Sequence, residues 1–130
     1  SLEYINIPNS VTSIGRYGLR FCYSLKNIDL PDSITSIGDG AFESDLLSTL
    51  IMPRNLGTIG ANAFKNCIAM KYYDFTKLTA VPTLSNYNAF YAIPADCKIT
   101  VHDDLYNDWI VATNWSTYAS YIIKESEWNA

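Results

Sequence analysis

Three cysteines, one histidine and a knot of carboxylates are the side chains in this 130-residue sequence that could do chemistry. Cys22 and Cys67 occupy the same place in an internal repeat but lie two repeats apart. At roughly 4.8 Å per stacked strand that is about 10 Å. A disulfide needs Cα atoms within about 7 Å, so the pair reads as small buried thiols in a stacked turn, and Cys97 falls where the repeat degenerates. No Cys-x-x-Cys accompanies His102, so nothing spells a zinc site. His102, flanked by Asp103, reads as a capping or surface residue rather than a general base. No Gly-x-Ser-x-Gly frames a nucleophile. Gly38-Asp39-Gly40 lacks the third glycine and the lysine of a phosphate loop, and reads as a turn. Asp96, Asp103, Asp104 and Asp108 could draw calcium, but their spacing is not that of a calcium loop, and helix capping accounts for two of them. The expectation is a protein that is not an enzyme and carries no cofactor and no metal.

Composition narrows the classes further. Nine Lys and Arg against 13 Asp and Glu give a formal charge of −4, the wrong sign for a nucleic-acid surface. With 48% apolar and 17% charged residues the chain is too hydrophobic for intrinsic disorder. No apolar run reaches the roughly 18 residues of a membrane-spanning helix.

What positions these residues is a repeat. Leu2-Glu3-Tyr4-Ile5-Asn6-Ile7-Pro8 and its continuation Val11-Thr12-Ser13-Ile14-Gly15 return 23 residues later as Leu25 to Pro31 and Ile34 to Gly38. A third copy follows 22 residues on, from Leu47 to Gly60, and Ala63-Phe64 repeats Ala41-Phe42. A fourth, Met70 to Phe75, keeps the apolar spacing and loses the proline, and Lys98-Ile99-Thr100-Val101 looks like a last half-copy. Ile28 and Leu30 alternate with Asn27 and Asp29, the period of a strand with one buried face. Pro8, Pro31 and Pro53 end each strand because they have no N–H to donate. Gly15, Gly38 and Gly60 suit a turn of positive φ. One coil cannot bury such faces alone, so successive coils must stack into a solenoid with a parallel strand ladder.

After residue 101 the period becomes helical. Leu105, Trp109 and Ala112 share a stripe behind Asp103 and Asp104, predicting a helix over 104–113, with a second over 116–123. The expected organisation is therefore a solenoid of about four coils over 1–101 and a helical cap over 102–130. The N-terminal coil has no matching cap, so this reading expects upstream repeats covering the Ile5/Ile7 edge.

The pattern Leu-x-x-Ile-x-Ile-Pro followed by Ser-Val-Thr-Ser-Ile-Gly-x-x-Ala-Phe-x-x-Cys, carried by Leu25 to Phe42 and around Ile5 and Ile59, resembles the bacterial BspA-type leucine-rich repeat family. The match is strong over residues 2–69 and loose over 70–90, and the tail resembles the closing segment of such proteins. Gly18-Leu19 replaces Ala-Phe, and Asp45 stands where Cys22 and Cys67 sit. The resemblance implies an α/β repeat solenoid, a right-handed coil, that works without catalysis as a protein-binding or adhesion module, located at the cell surface or secreted. Its partner would be a protein or cell-surface ligand. A structural spacer or terminal cap of a larger repeat protein, or of a phage-encoded virion protein, is the alternative.

If Ile28 and Leu30 point inward, two columns face outward along the ladder. One holds Tyr4, Asn27, Thr49 and Tyr72, with Lys98 beyond. The other holds Asn6, Asp29, Ile51 and Asp74, with Thr100 beyond. These are the candidate ligand-binding residues, set against the plainer reading of solvated strand positions with high β propensity. Of the ten tyrosines, Tyr4 and Tyr72 fall on this face and Tyr73 points inward. Tyr17 and Tyr23 fall in the turns of the first coil, Tyr87 and Tyr91 in the fourth, and Tyr106, Tyr118 and Tyr121 in the cap.

Overall fold

The computed structural model describes residues 4–128. In chain order its strands are β1 (Tyr4–Asn6), β2 (Ser13–Ile14), β3 (Asn27–Asp29), β4 (Ser36–Ile37), β5 (Thr49–Ile51), β6 (Thr58–Ile59), β7 (Tyr72–Asp74), β8 (Thr83–Leu84), β9 (Lys98–Val101) and β10 (Ile122–Lys124). Every pairing is parallel. The odd-numbered strands form the ladder expected from the apolar alternation, in two parts, β1-β3 and β5-β7-β9, with β10 added at the edge of the second. Its register sets Tyr4 beside Asn27, Thr49 beside Tyr72, and Tyr72 beside Lys98.

A second ladder, β2-β4-β6-β8, lies beside it, of which apolar alternation gives no sign. It runs through Ile14, Ile37, Ile59 and Leu84, which all point into the core. A third set of bonds ties the turns together: the N–H groups of Leu19, Phe42 and Phe64 each donate at 2.8 Å to Ala41, Ala63 and Ala89 of the following coil. The first and second coils, and the third and fourth, therefore meet along three lines of backbone hydrogen bonds, and the second and third, where β3 and β5 are not paired, along two; these bonds satisfy polar groups that stacking removes from water.

Inside the coils Phe42, Phe64 and Phe90 form a continuous pile, with centroids 5.3 and 5.2 Å apart and planes within 13° of parallel. Tyr73 points inward as expected and meets Phe64 and Phe90 edge-on at 5.1 and 4.9 Å.

The repeat glycines serve a different purpose from the one expected. Gly40 alone among the described glycines has positive φ, at 63°. A Cβ on Gly38 would lie 2.8 Å from Arg16 N, and one on Gly60 would lie 2.5 Å from Asp39 N. Gly38 and Gly60 are needed so that the backbone of the preceding coil can approach. At Gly15 a Cβ would meet nothing within 4 Å.

The cap departs from the expected pair of helices. A 3-10 turn (Asp103–Leu105) leads into α1 (Tyr106–Trp109), a single turn that stops where the β-branched Val111 and Thr113 and the left-handed Asn114 (φ 67°) follow. In place of the helix over 116–123, a 3-10 segment (Trp115–Tyr121) gives way to β10, which pairs with β9. An unpaired β9 edge would expose a row of N–H and C=O groups, and Ile122-Ile123 is well suited to cover it as a strand. The cap seals the last coil through Trp109 and Trp115, 4.6 Å apart and both on Phe75. Trp115 Nε1 donates to Pro82 O at 2.8 Å, and the Tyr118 hydroxyl donates to Tyr87 O.

Candidate binding surface

The outward columns exist as the alternation implied, and the structure divides them. Tyr4, Asn6, Asn27, Asp29, Thr49 and Ile51 are exposed, with half of the Ile51 surface open to solvent (50%). The Tyr4 hydroxyl donates to Asp29 Oδ2 at 3.3 Å, joining the two columns across adjacent coils. Toward the cap the surface closes. Tyr72 is half-buried beneath Trp128, centroids 5.2 Å apart. Asp74 Oδ1 is taken up by the Thr76 N–H at 2.8 Å and the Thr76 hydroxyl at 2.7 Å. Thr100 is buried and donates to Tyr73 O at 3.3 Å, so the second column ends before it. The open part of the face is thus its first three coils.

The residues whose types could do chemistry are engaged in capping and packing. His102 Nδ1 accepts the Asp104 N–H at 3.2 Å, a capping role. Asp103 accepts the Ser126 N–H at 3.0 Å, and its bonds to Ser126 hold its carboxyl below the usual range. No group of three or more His, Cys, Asp or Glu that could hold a metal comes together among the described residues. All three cysteines are free. Burial pushes the Cys67 and Cys97 thiols up to about 12, and Cys67 Sγ donates to Phe42 O at 3.2 Å.

Asp45 is the departure from the repeat with the largest physical consequence. It is fully buried, its Oδ1 accepts the Cys22 N–H at 2.9 Å, and its Oδ2 has no hydrogen-bond partner. Burial lifts its pKa to about 7, against the smaller downward pull of the Cys22 N–H.

The turns of the first coil hold a surface that apolar periodicity gave no sign of, with Tyr17, Phe21 and Tyr23 all exposed. A signal was present in Arg16-Tyr17 and Arg20-Phe21, where cations alternate with rings at positions that the other coils fill with Gly40, Asn62, Ser44 or Asn66. At the open end of the solenoid lies a depression of about 280 Å³, lined by Ile5, Ile7, Val11, Ile14 and Leu19.

Comparison with known proteins follows the same lines. Residues 1–105 match the BspA type leucine rich repeat region in six copies. A leucine rich cell surface protein from Faecalibacterium prausnitzii is 35% identical and aligns over 62% of this chain and 21% of its own, with a TM-score of 0.57. A leucine-rich repeat protein from Bacteroides ovatus is 32% identical over 78% of this chain and 28% of its own, with a TM-score of 0.56. The pneumococcal vaccine antigen PcpA aligns over 95% of this chain and 34% of its own with a TM-score of 0.65, and at 18% identity it shares the fold alone. The chain thus spans about a fifth to a third of the length of these proteins. No curated protein sequence matches it. With parallel ladders between its coils, the phenylalanine pile and a family match over residues 1–105, the chain is a repeat solenoid that belongs to the BspA-type leucine-rich repeat family.

Proposed function

We propose that this chain is a non-catalytic protein-binding or adhesion module of a bacterial surface or secreted protein, and that the open part of its ladder face takes the ligand. The observation that carries this reading is the pair of in-register columns, Tyr4-Asn27 and Asn6-Asp29 on paired strands and Thr49 and Ile51 on the next coil, exposed together. Parallel strands hold such side chains at fixed spacing, so little entropy is lost when a partner docks. Tyrosine and isoleucine supply contact area, while Asn and Asp fix orientation. The likeness to a cell surface protein from Faecalibacterium prausnitzii agrees with a location outside the cell.

The test is attachment of the purified chain to a panel of immobilised extracellular matrix proteins. Tyr4→Ser with Ile51→Thr should weaken attachment at least tenfold while the circular dichroism spectrum stays unchanged. Unchanged attachment by a folded double variant refutes the reading.

One observation favours a structural role beside it. Ile5, Ile7, Val11 and Leu19 are only partly buried at the open end, and nothing lies within 4 Å of a Cβ on Gly15 where Gly38 and Gly60 receive a preceding coil. In this second reading the chain is a terminal segment of a longer repeat protein, with another coil seated on Gly15.

A further inference from the structure

The turns of the first coil carry aromatic rings in a conformation that rings seldom adopt. Tyr17 and Phe21 have φ of 56° and 61°, in the left-handed region where a bulky side chain crowds its own backbone. The inter-coil hydrogen bonds identify their counterparts. Tyr17 N–H donates to Asp39 O as Gly40 N–H donates to Ala61 O, and Phe21 N–H donates to Glu43 O as Ser44 N–H donates to Lys65 O and Asn66 N–H to Tyr91 O. The same φ recurs at Gly40, Asn62, Ser44, Asn66 and Ala92. Every later coil meets this backbone demand with a small or amide residue, and the first coil meets it with two rings.

Those rings are held in place and exposed. Tyr17 lies so close to Gly40 that a Cβ there would come within 2.3 Å of the ring, so the missing side chain of Gly40 makes its seat. The Arg20 guanidinium stands 4.8 Å from the Tyr17 centroid and 4.3 Å from that of Phe21, and Arg16 stands 5.3 Å from Tyr17. Phe21 stacks on Tyr23 at 6.0 Å. Yet 43% of Tyr17, 46% of Phe21 and 59% of Tyr23 remain open to solvent. Glu43 balances Arg20 at 3.4 Å, whereas Arg16 makes no ion pair among the described residues.

We propose that this arginine-aromatic stack is a second interaction surface, on the turn side of the solenoid, and that its partner is an extended acidic protein segment carrying aromatic or apolar side chains. Charge complementarity selects an acidic partner: of the two guanidiniums here Arg20 is balanced by Glu43, and Arg16, with no ion pair among the described residues, is left to meet a carboxylate on a chain of net charge −4. A guanidinium on a ring is partly desolvated and binds a carboxylate more firmly than one in open water. Arg16, Arg20 and Tyr23 already pack against these rings, and the exposed remainder of each ring is left for apolar or aromatic side chains of the partner. Tyr and Arg together are also the residue types that dominate binding at protein interfaces.

The experiment measures binding of the whole chain to a random Glu-Tyr copolymer, to polyglutamate and to hyaluronan by biolayer interferometry at physiological salt. The wild type should bind the copolymer more tightly than polyglutamate, and hyaluronan least. Arg16→Gln, and separately Tyr17→Asn with Phe21→Asn, should each weaken copolymer binding at least tenfold. The asparagines reproduce the residue type that Asn62 and Asn66 already place in this conformation, so the double variant should keep the wild-type melting temperature and remain a folded control. Tyr4→Ser with Ile51→Thr should leave copolymer binding unchanged, which separates this surface from the ladder face. No binding by the wild type, undiminished binding by the folded variants, or hyaluronan binding tighter than the copolymer would each overturn the proposal.

Discussion

Replacing Asp45 with Asn should remove most of the pH dependence of stability between pH 4 and pH 7. In the folded chain this carboxyl has no access to water, one donor at 2.9 Å and a second oxygen with no partner. Burial lifts its pKa from 3.8 to about 7. Because the folded value lies above the unfolded one, the native state prefers the protonated acid. Its favourable contribution is complete below pH 4, is lost as pH rises toward 7, and changes no further above that. Three pKa steps at 1.36 kcal/mol each set the loss at about 4 kcal/mol. At a urea slope of about 2 kcal/mol/M, that moves the unfolding midpoint by ~2 M. Exposed carboxyls held low in the fold, such as Asp32 and Asp103, act in the opposite sense and lose their contribution on acidification below the ordinary carboxylate range. The assay is urea unfolding followed by tryptophan fluorescence at half-unit pH steps from 4 to 8, since Trp109 and Trp115 are both buried. Asn at position 45 keeps an acceptor for the Cys22 N–H and carries no charge. Its buried N–H₂ costs about 1–3 kcal/mol at every pH, so the variant starts lower and stays level. Parallel profiles for the two proteins would refute the reasoning, because they would show that Asp45 takes up no proton on folding.

Two further predictions concern the stacking itself. Gly60→Ala places a Cβ 2.5 Å from Asp39 N and 2.7 Å from Gly38 C, backbone atoms that cannot step aside, and should cost at least ~2 kcal/mol in a denaturation curve, comparable to overpacking a core. Gly15→Ala meets nothing within 4 Å and should be neutral within ~0.5 kcal/mol, so equal losses at the two sites would contradict the close-approach account. Phe64→Ala removes the middle ring of the phenylalanine pile and should cost about 3–5 kcal/mol. A loss below 1 kcal/mol would mean that the coils are held by their backbone bonds alone.

How much could be read from the sequence depended on the length of the feature. Strands β1, β3, β5 and β7 were legible because three-residue segments with an apolar centre recur every 22 or 23 residues, the first three of them beside a proline. The second ladder was not, because a pair such as Ser13-Ile14 is too short to display a period of two. The cap misled in a different way: Leu105, Trp109 and Ala112 do share a helical stripe, yet the backbone obeys the open edge of β9, which only the folded solenoid presents. Of the candidate site, the positions of Tyr4 and Ile51 followed from alternation alone, while the loss of Tyr72 beneath Trp128 and of Thr100 into the core are tertiary events. The left-handed turns were hidden because Asn62 and Asn66 suggest such a conformation and Tyr17 and Phe21 do not.

The lines of inter-coil bonds also determine how the molecule yields to tension. They run along the stacking axis, so a pull between the ends strains one boundary at a time rather than sharing the load over the whole length. A coil that contributes about 5 Å of stacked height holds 22 or 23 residues, or roughly 75 Å of extended chain. A tether built from such coils would lengthen in discrete increments under shear, dissipating work while the coils that remain stacked keep their shape.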